Sequence, residues 1–372
     1  MHGVELMRPM DIAAYLKQQK KHIGRESRSV RDFSVFDFDF IPQQPLMREE
    51  SKLLIDDMLR FDISGIPTHY AVIGSRGSGK TLTLKYLQRV IPEQTNLGIV
   101  YANCRQHNTS FKILAHLLGV QARGASLSEL FSAFCDKCEA KTVVVLDEID
   151  LMSPKDRRRE ILYLLSRAER PFMVIMLSNN SHVLKDLDPA TRSSLQPMPL
   201  HFRNYHAEQI GDILADRAKR GLTEWNDGHL KEIAARTARD TNADARVAIK
   251  TLFYAATKPG ENLADSFERA RRDVVIDLIN DLSDSTLMIL WAVATAAENL
   301  AKETYKQYCR YCQARAEKPF SYVHFLSNLS YLQSVGLVAL LSTKVGRTYA
   351  SRVQLAYDRP TVEQICRLRF GQ

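Results

Sequence analysis

Lys80 and Thr81 close the stretch Ala71-Val-Ile-Gly74-Ser-Arg-Gly77-Ser78-Gly79-Lys80-Thr81. The spacing Gly-x-x-x-x-Gly-Lys-Thr suits a loop that cradles phosphates. Gly74, Gly77 and Gly79 let the backbone turn its N–H groups inward, and a following helix aims the positive end of its dipole at the same place. Lys80 would then meet the β- and γ-phosphates of a nucleoside triphosphate, and the Thr81 hydroxyl would hold Mg²⁺. Farther along, Val145-Leu146-Asp147-Glu148 ends an apolar run. Asp147 there suits the same Mg²⁺, held through water, and Glu148 suits orienting or deprotonating the attacking water. A second apolar run ends in Ser178-Asn179-Asn180, where Asn179 can hydrogen-bond both that water and the γ-phosphate.

Such chemistry needs a strand, a loop and a helix in that order. The sequence supplies them: an apolar lead-in at Ala71 to Ile73, then Leu82, Leu84 and Leu87 at helical spacing. The alternation continues with a strand at Gly98–Asn103, a helix at Phe111–Leu118 and a capping box at Ser126-x-x-Glu129. Thr142–Leu146 and Phe172–Leu177 read as central parallel strands, because both are apolar throughout. A charged helix is expected between them, from Asp156 to Glu169. Alternation of this kind predicts an α/β doubly wound sheet.

Before Tyr70, residues 1–45 read as a basic arm, with Phe33–Phe40 as a short strand or extended segment and a helix from Arg48 to about Phe61. Beyond Leu200 the strands stop, and four helices are expected at His206–Arg217, Leu230–Thr237, Ala243–Thr257 and Ala264–Asp281. Three more follow at Ser285–Leu300, Glu303–Arg315 and Phe320–Ser334. Two strands then flank a basic tip, Lys344-Val-Gly-Arg347. Three helices and a β-hairpin make a winged helix-turn-helix. The boundaries read as 1–45, 46–204, 205–282 and 283–372.

The chain of 372 residues carries a formal net charge of +8, and the excess lies at its two ends. Residues 283–372 hold 11 lysines and arginines against 6 acids, and Lys17 to Arg31 holds 6 against 1. That distribution points to nucleic acid. No apolar run reaches the ~20 residues of a membrane span. The charged first 21 residues do not read as a secretory signal, which predicts an intracellular, cytoplasmic protein, and the nucleic-acid reading adds nucleoid association. Six cysteines include the pairs Cys135/Cys138 and Cys309/Cys312. A zinc ribbon places such pairs about 15–20 residues apart. Half-buried thiols fit these better, with a disulfide open if the source is a hyperthermophile.

The nucleotide residues in this order resemble an AAA+ ATPase, which implies an AAA+ P-loop NTPase with a parallel sheet and a helical lid. Narrower features add to this. Val100 to Leu114 is similar to the segment particular to initiator AAA+ proteins. Asp188-Pro-Ala-Thr-Arg192 resembles the segment after sensor 1, Tyr205-His-Ala-Glu-Gln209 the start of the lid, and Asp244-Ala-Arg246 the sensor 2 motif. Phe38 to Glu50, with Pro42-x-x-Pro45 and Arg48-Glu-Glu50, resembles an N-terminal signature. Together with the C-terminal winged helix, these resemble the archaeal origin-recognition and cell-division-control initiators.

The resemblance implies that Gly77 to Thr81 bind the phosphates of ATP or ADP. It implies that Tyr205 and Arg217 contribute from the lid, that Arg246 approaches the γ-phosphate, and that Arg192 is a candidate arginine finger. Read as bare sequence, Tyr205 is a packing residue and Arg217 a solvated helix charge. The sensor 2 segment here reads Ala243-Asp244 where the family usually has Gly-Asp. On DNA, the third helix would enter the major groove, with Ser321, Tyr322, His324, Asn328 and Tyr331 as exposed candidates. Phe325, Leu326, Leu329 and Leu332 would be core. Lys344, Arg347 and Arg352 would contact phosphates. Arg105, His107 and Lys112 would give a second contact from the AAA+ module. The implied function is a DNA replication initiator that binds double-stranded origin DNA under ATP and Mg²⁺ control. It would act with other initiator copies and help load a minichromosome-maintenance-type helicase, with slow, switch-like hydrolysis. The alternatives are a clamp-loader-type or transposition-regulator-type AAA+ factor, or a transcription regulator.

Overall fold

Continuous apolar strands demand cover on both faces, and the chain provides it. The computed structural model describes residues 12–371 except 27–28, 122, 139–140, 154–155, 157, 181–182, 186, 259 and 346–347. By contact density it divides into two units, residues 1–40 with 205–274, and residues 41–204 with 275–372.

The second unit holds the sheet: β1 (Tyr70–Gly74), β2 (Gly98–Asn103), β3 (Thr142–Asp147), β4 (Phe172–Ser178) and β5 (Met198–Phe202). Their order is β2-β3-β4-β1-β5, and every pairing is parallel. Side chains alternate between two cores. Ala71, Val144, Leu146, Val174 and Met176 meet helices Ser110–Leu118, Leu127–Lys137 and Glu160–Ser166 on one face. Tyr70, Val72, Val143, Val145 and Ile175 meet helices Glu49–Ser64 and Lys80–Val90 on the other. The register sets Asn103 beside Asp147 and Ile73 beside Ser178, so the carboxyl ends of β1 to β4 rise to one level.

His69 continues β1 on both sides. Its Nδ1 accepts from Val174 N at 3.0 Å, and its carbonyl accepts from Met198 N at 2.9 Å. Burial holds the imidazole down at about 4 from its ordinary 6.5. The unfolded chain takes up this proton near pH 6.5 and the folded chain only near pH 4, so the stability is present above pH 6.5 and lost as pH falls toward 4. Urea unfolding at pH 7 and pH 4.5 should differ by on the order of 2 kcal/mol from this group. His69→Gln should shrink the difference by that amount.

The C-terminal part of the same unit forms around helix Asp284–Thr295, whose residues 286–294 are all buried. A helix apolar all round belongs in a core. Helices Ala301–Ala314, Tyr322–Ser334 and Arg359–Phe370 share that core with the antiparallel hairpin β6 (Val338–Val345) and β7 (Thr348–Leu355). Trp291 stacks between Tyr311 and Phe370, with centroids at 4.3 and 5.7 Å. This is the winged-helix arrangement, closed by a helix that the sequence reading left out.

The first unit contains helices Ala207–Gly221, Asp227–Asp240, Ala245–Thr257 and, up to Val274, Leu263–Asn280. Residues 29–40 pack on them. Val30 bridges Leu222, the Ser29 hydroxyl donates to Ala256 O, and Phe36 meets Phe253 edge-on at 5.5 Å. Gly221 is required here, because a Cβ would lie 2.9 Å from Asp32 O and still closer to Val35. Helix Ile12–Glu26, at the chain's start, was also not foreseen.

Three expected elements differ. Phe33–Phe36 is a 3₁₀ turn, because the Asp32 carboxylate accepts from Ser34 N and only Val35 of the four is buried. The charged helix runs only over Glu160–Ser166, because Asp156 is diverted to accept from Ser110 N at the start of another helix. The apolar helix stops at Thr295, because Leu300 bridges Arg352 and Asn299 O accepts from Val353 N, which holds those residues extended beside β7.

Candidate functional site

The loop after β1 turns through Gly77 (φ 73°) and Gly79 (φ 86°), backbone that a side chain would strain. A Cβ on Gly74 would sit 2.6 Å from Phe202 O, so β1 and β5 can close up only around glycine. Helix Lys80–Val90 starts at Gly79 with no side-chain cap. Several other helices have one, such as Thr109, Ser126 and Asp188. Its first-turn N–H groups are therefore offered to a ligand rather than to the chain's own side chains.

Lys80 is 7% exposed. Its Nζ donates to Gly74 O at 2.8 Å, Ser75 O at 2.9 Å and Asn179 Oδ1 at 3.0 Å. Thr81 Oγ1 donates to Asp147 Oδ2 at 2.8 Å. Tyr101 OH donates to the same oxygen at 2.7 Å, so two hydroxyls fix one carboxylate. Ser78 is buried and its hydroxyl donates to Ser75 O. Glu148 takes left-handed backbone (φ 53°) just past β3 and accepts from Asn103 Nδ2 at 3.2 Å. Burial, then the neighbouring Asp147 charge, pushes its carboxyl above the usual glutamate range, against the pull of Asn103, Arg105 and Arg76. The structure thus brings together Lys80, Thr81, Asp147, Glu148 and Asn179. These side chains and the uncapped helix start fit a nucleotide phosphate chain with a divalent ion.

Arg48, Tyr101 and Asn103 were given no role from the sequence. Arg48 is 6% exposed and ties three segments. Its Nη1 donates to Ser78 O at 2.8 Å, and its Nη2 donates to Arg203 O at 2.6 Å and Glu50 Oε1 at 3.1 Å. Its guanidinium also lies over Phe202. The only available signal was its place in Arg48-Glu-Glu50. Tyr101 and Asn103 lie two residues apart on β2, on the face toward β3's acidic end, a spacing that could have been read.

Tyr205, Arg217 and Arg246 belong to the first unit. Tyr205 is buried. Arg217 is 4% exposed, which overturns its reading as a solvated charge. Its Nη1 donates to Val35 O and Asp37 O, and its guanidinium lies over Phe40. Arg246 forms a two-point pair with Asp244, at 3.0 and 2.5 Å, at the start of its helix. Ala243 sits at φ 58°, the conformation that suits the glycine usual in the resembling family. Arg192 is exposed on helix Pro189–Leu195.

The DNA candidates divide. Lys112, Tyr322, His324 and Arg352 are exposed, as is Ser321, which caps its helix. His107 stacks on His116 at 3.9 Å. Asn328 was expected to be exposed, yet it accepts from Thr286 and donates to His324 O. Tyr331 is half-buried, with its hydroxyl 3.4 Å from Arg76 Nη2, which corrects its place among the exposed candidates. Arg105 pairs with Asp281 at 2.8 Å. Phe325, Leu329 and Leu332 are core as expected, and Leu326 packs partly buried against it. Lys344 lies in β6 opposite Tyr349, and Arg347 lies outside the described residues. The six cysteines are free thiols, and the described residues contain no group of three or more metal-ligating side chains. No helix among the described residues is long and apolar enough to cross a membrane.

A family model described as an AAA domain matches residues 67–182. The ORC1-type DNA replication protein 1 of Sulfolobus acidocaldarius is 32% identical over 68% of this chain and 70% of its own length. That of Sulfurisphaera tokodaii is 27% identical over 90% and 92%. Among solved structures, the Aeropyrum pernix ORC1 protein in complex with DNA matches with a TM-score of 0.68 at 22% identity. It covers 92% of this chain and 97% of that one. Pyrobaculum aerophilum Cdc6p matches with a TM-score of 0.56 at 23% identity over 92% and 99%. These two show the shared fold: a P-loop AAA+ module, a helical lid and a winged helix. The phosphate loop and its acidic strand end lie inside the matched AAA domain, and the Sulfolobus relative carries the likeness past it; the chain belongs to the ORC1-type DNA replication initiators, a family of AAA+ ATPases.

Proposed function

We propose that the chain binds ATP with Mg²⁺ at the Gly74–Thr81 loop and hydrolyses it slowly, so that the bound nucleotide acts as a switch. Lys80 holds the β- and γ-phosphates, Thr81 and Asp147 hold the ion, and Glu148 with Asn179 positions the attacking water. When bound, the ion neutralises phosphate charge. Tyr205, Arg217 and Arg246 act from the lid, and Arg192 serves a neighbouring copy's site. In this reading the chain is organised as an arm (1–45), an AAA+ core (46–204), a lid (205–282) and a DNA-binding winged helix (283–372). It binds double-stranded origin DNA through Tyr322, Asn328, Lys344, Arg347 and Arg352, with Arg105, His107 and Lys112 as a second contact. It assembles with further initiator copies at the nucleoid, in the cytoplasm, and helps load a minichromosome-maintenance-type helicase. The observation that carries the reading is the joining of Lys80 to Asn179 and of Thr81 to Asp147 on a chain that also carries a winged helix.

Binding to duplexes from the source genome's origin and to random duplexes, across a salt series, tests it. Origin DNA should bind at least about 10³-fold more tightly. Lys344→Ala with Arg347→Ala should weaken both duplexes and flatten the salt slope by about 2, at unchanged ATP affinity. Equal affinity and equal slope for the two duplexes would refute origin recognition.

A further inference from the structure

Arg76 belongs to the phosphate loop, yet its partners lie in the C-terminal part of the chain. Its side chain is 11% exposed, with Nη1 3.9 Å from Asp281 Oδ2 and Nη2 3.4 Å from the Tyr331 hydroxyl. Tyr331 stands in the third helix of the winged domain, Tyr322–Ser334. Asp281 stands two residues before Ser283, the cap of that domain's first helix. The same carboxylate also holds Arg105, whose Nη1 lies 2.8 Å from Asp281 Oδ2 and whose Nη2 donates to Asp281 O at 2.6 Å. One acidic side chain is therefore shared by an arginine of the nucleotide loop and an arginine of the expected DNA contact. The helix expected to enter the major groove is tied to the same loop by a hydroxyl.

We infer that Arg76, Asp281, Tyr331 and Arg105 form an autoinhibitory latch between nucleotide and DNA binding. Duplex phosphates and Asp281 compete for Arg105, because both of its terminal nitrogens already donate to Asp281, whose carboxylate also balances its charge. Drawing Arg105 onto DNA leaves Asp281 to Arg76 alone and so changes the hold on the phosphate loop. Any such link acts equally in both directions. The inference rests on the nucleotide and DNA sites of the preceding section.

The test uses the full chain. The Kd of a fluorescent ATP analogue is measured with and without saturating duplex, and the Kd of the duplex with and without ATP. The two ratios should agree and differ from one by at least about fivefold. Tyr331→Phe removes only the hydroxyl and should bring both ratios to within about twofold of one. Asp281→Asn, at a half-exposed position, should do the same and tighten duplex binding about threefold by freeing Arg105. Ratios unchanged in both variants overturn the latch, as does a wild-type chain that binds both ligands independently. A chain that binds no duplex overturns the functional reading and the latch with it.

Discussion

Replacing Glu148 with glutamine is expected to slow ATP turnover by about 10²-fold or more while ATP stays bound. The side chain keeps its shape and its contact with Asn103 Nδ2. It loses the negative oxygen that can draw a proton from water. Phosphate contacts should survive, because Lys80 and Thr81 bond to Asn179 and Asp147 rather than to Glu148. Single-turnover hydrolysis and nucleotide retention after gel filtration would check both halves. Turnover that stays within about threefold of wild type would remove Glu148 from the proton-accepting role.

Arg48→Ala should cost about 3 kcal/mol of stability, and it should weaken ATP binding without touching a phosphate. The arginine joins Ser78 O in the phosphate loop to Arg203 O after β5, and it balances Glu50, whose side chain is 13% exposed. Alanine leaves two carbonyls and a sheltered carboxylate without that partner. Arg48→Lys should recover only part of the loss, since one ammonium cannot serve three acceptors in the planar fork that a guanidinium offers. Denaturant midpoints at constant m-value measure the first effect, and ATP Kd the second. A midpoint unmoved by alanine would mean that the loop holds its shape from its glycines alone.

The parts of the fold that the sequence displays are those buried on both faces. β3 and β4 are apolar at almost every position, so their place at the sheet's centre could be read directly. β5 is an edge strand with Met198 half-exposed and only Leu200 and Phe202 buried, so its pattern does not mark it as a strand. Helix Arg359–Phe370 buries only Val362, Cys366 and Phe370, four residues apart among arginines, and its stripe is too thin to stand out. In the site, Lys80, Thr81, Asp147 and Glu148 announce themselves by local spacing. Arg48 does not, because an arginine followed by two glutamates looks solvated until residues 78 and 203 are brought against it. The exposure expected of Asn328 and Tyr331 failed for the converse reason. Helical spacing gave the right face for both, but Thr286 and Arg76, which occupy them, come from distant positions.

The packing of residues 29–37 on helices that end at Gly221 and Thr257 also sets a clock. Arg31 reaches the carbonyl of Lys219, 188 residues later in the chain. At about 5–20 residues per second, synthesis delivers that partner roughly 10–40 s after Arg31 itself. The segment emerges with Val35 and Phe36 and waits for the lid helices that bury Val35. The whole parallel sheet is synthesised during that interval. On the ribosome, residues 29–37 are thus made before the sheet yet find their place after it, and a chaperone that shields short aromatic stretches would have its window there.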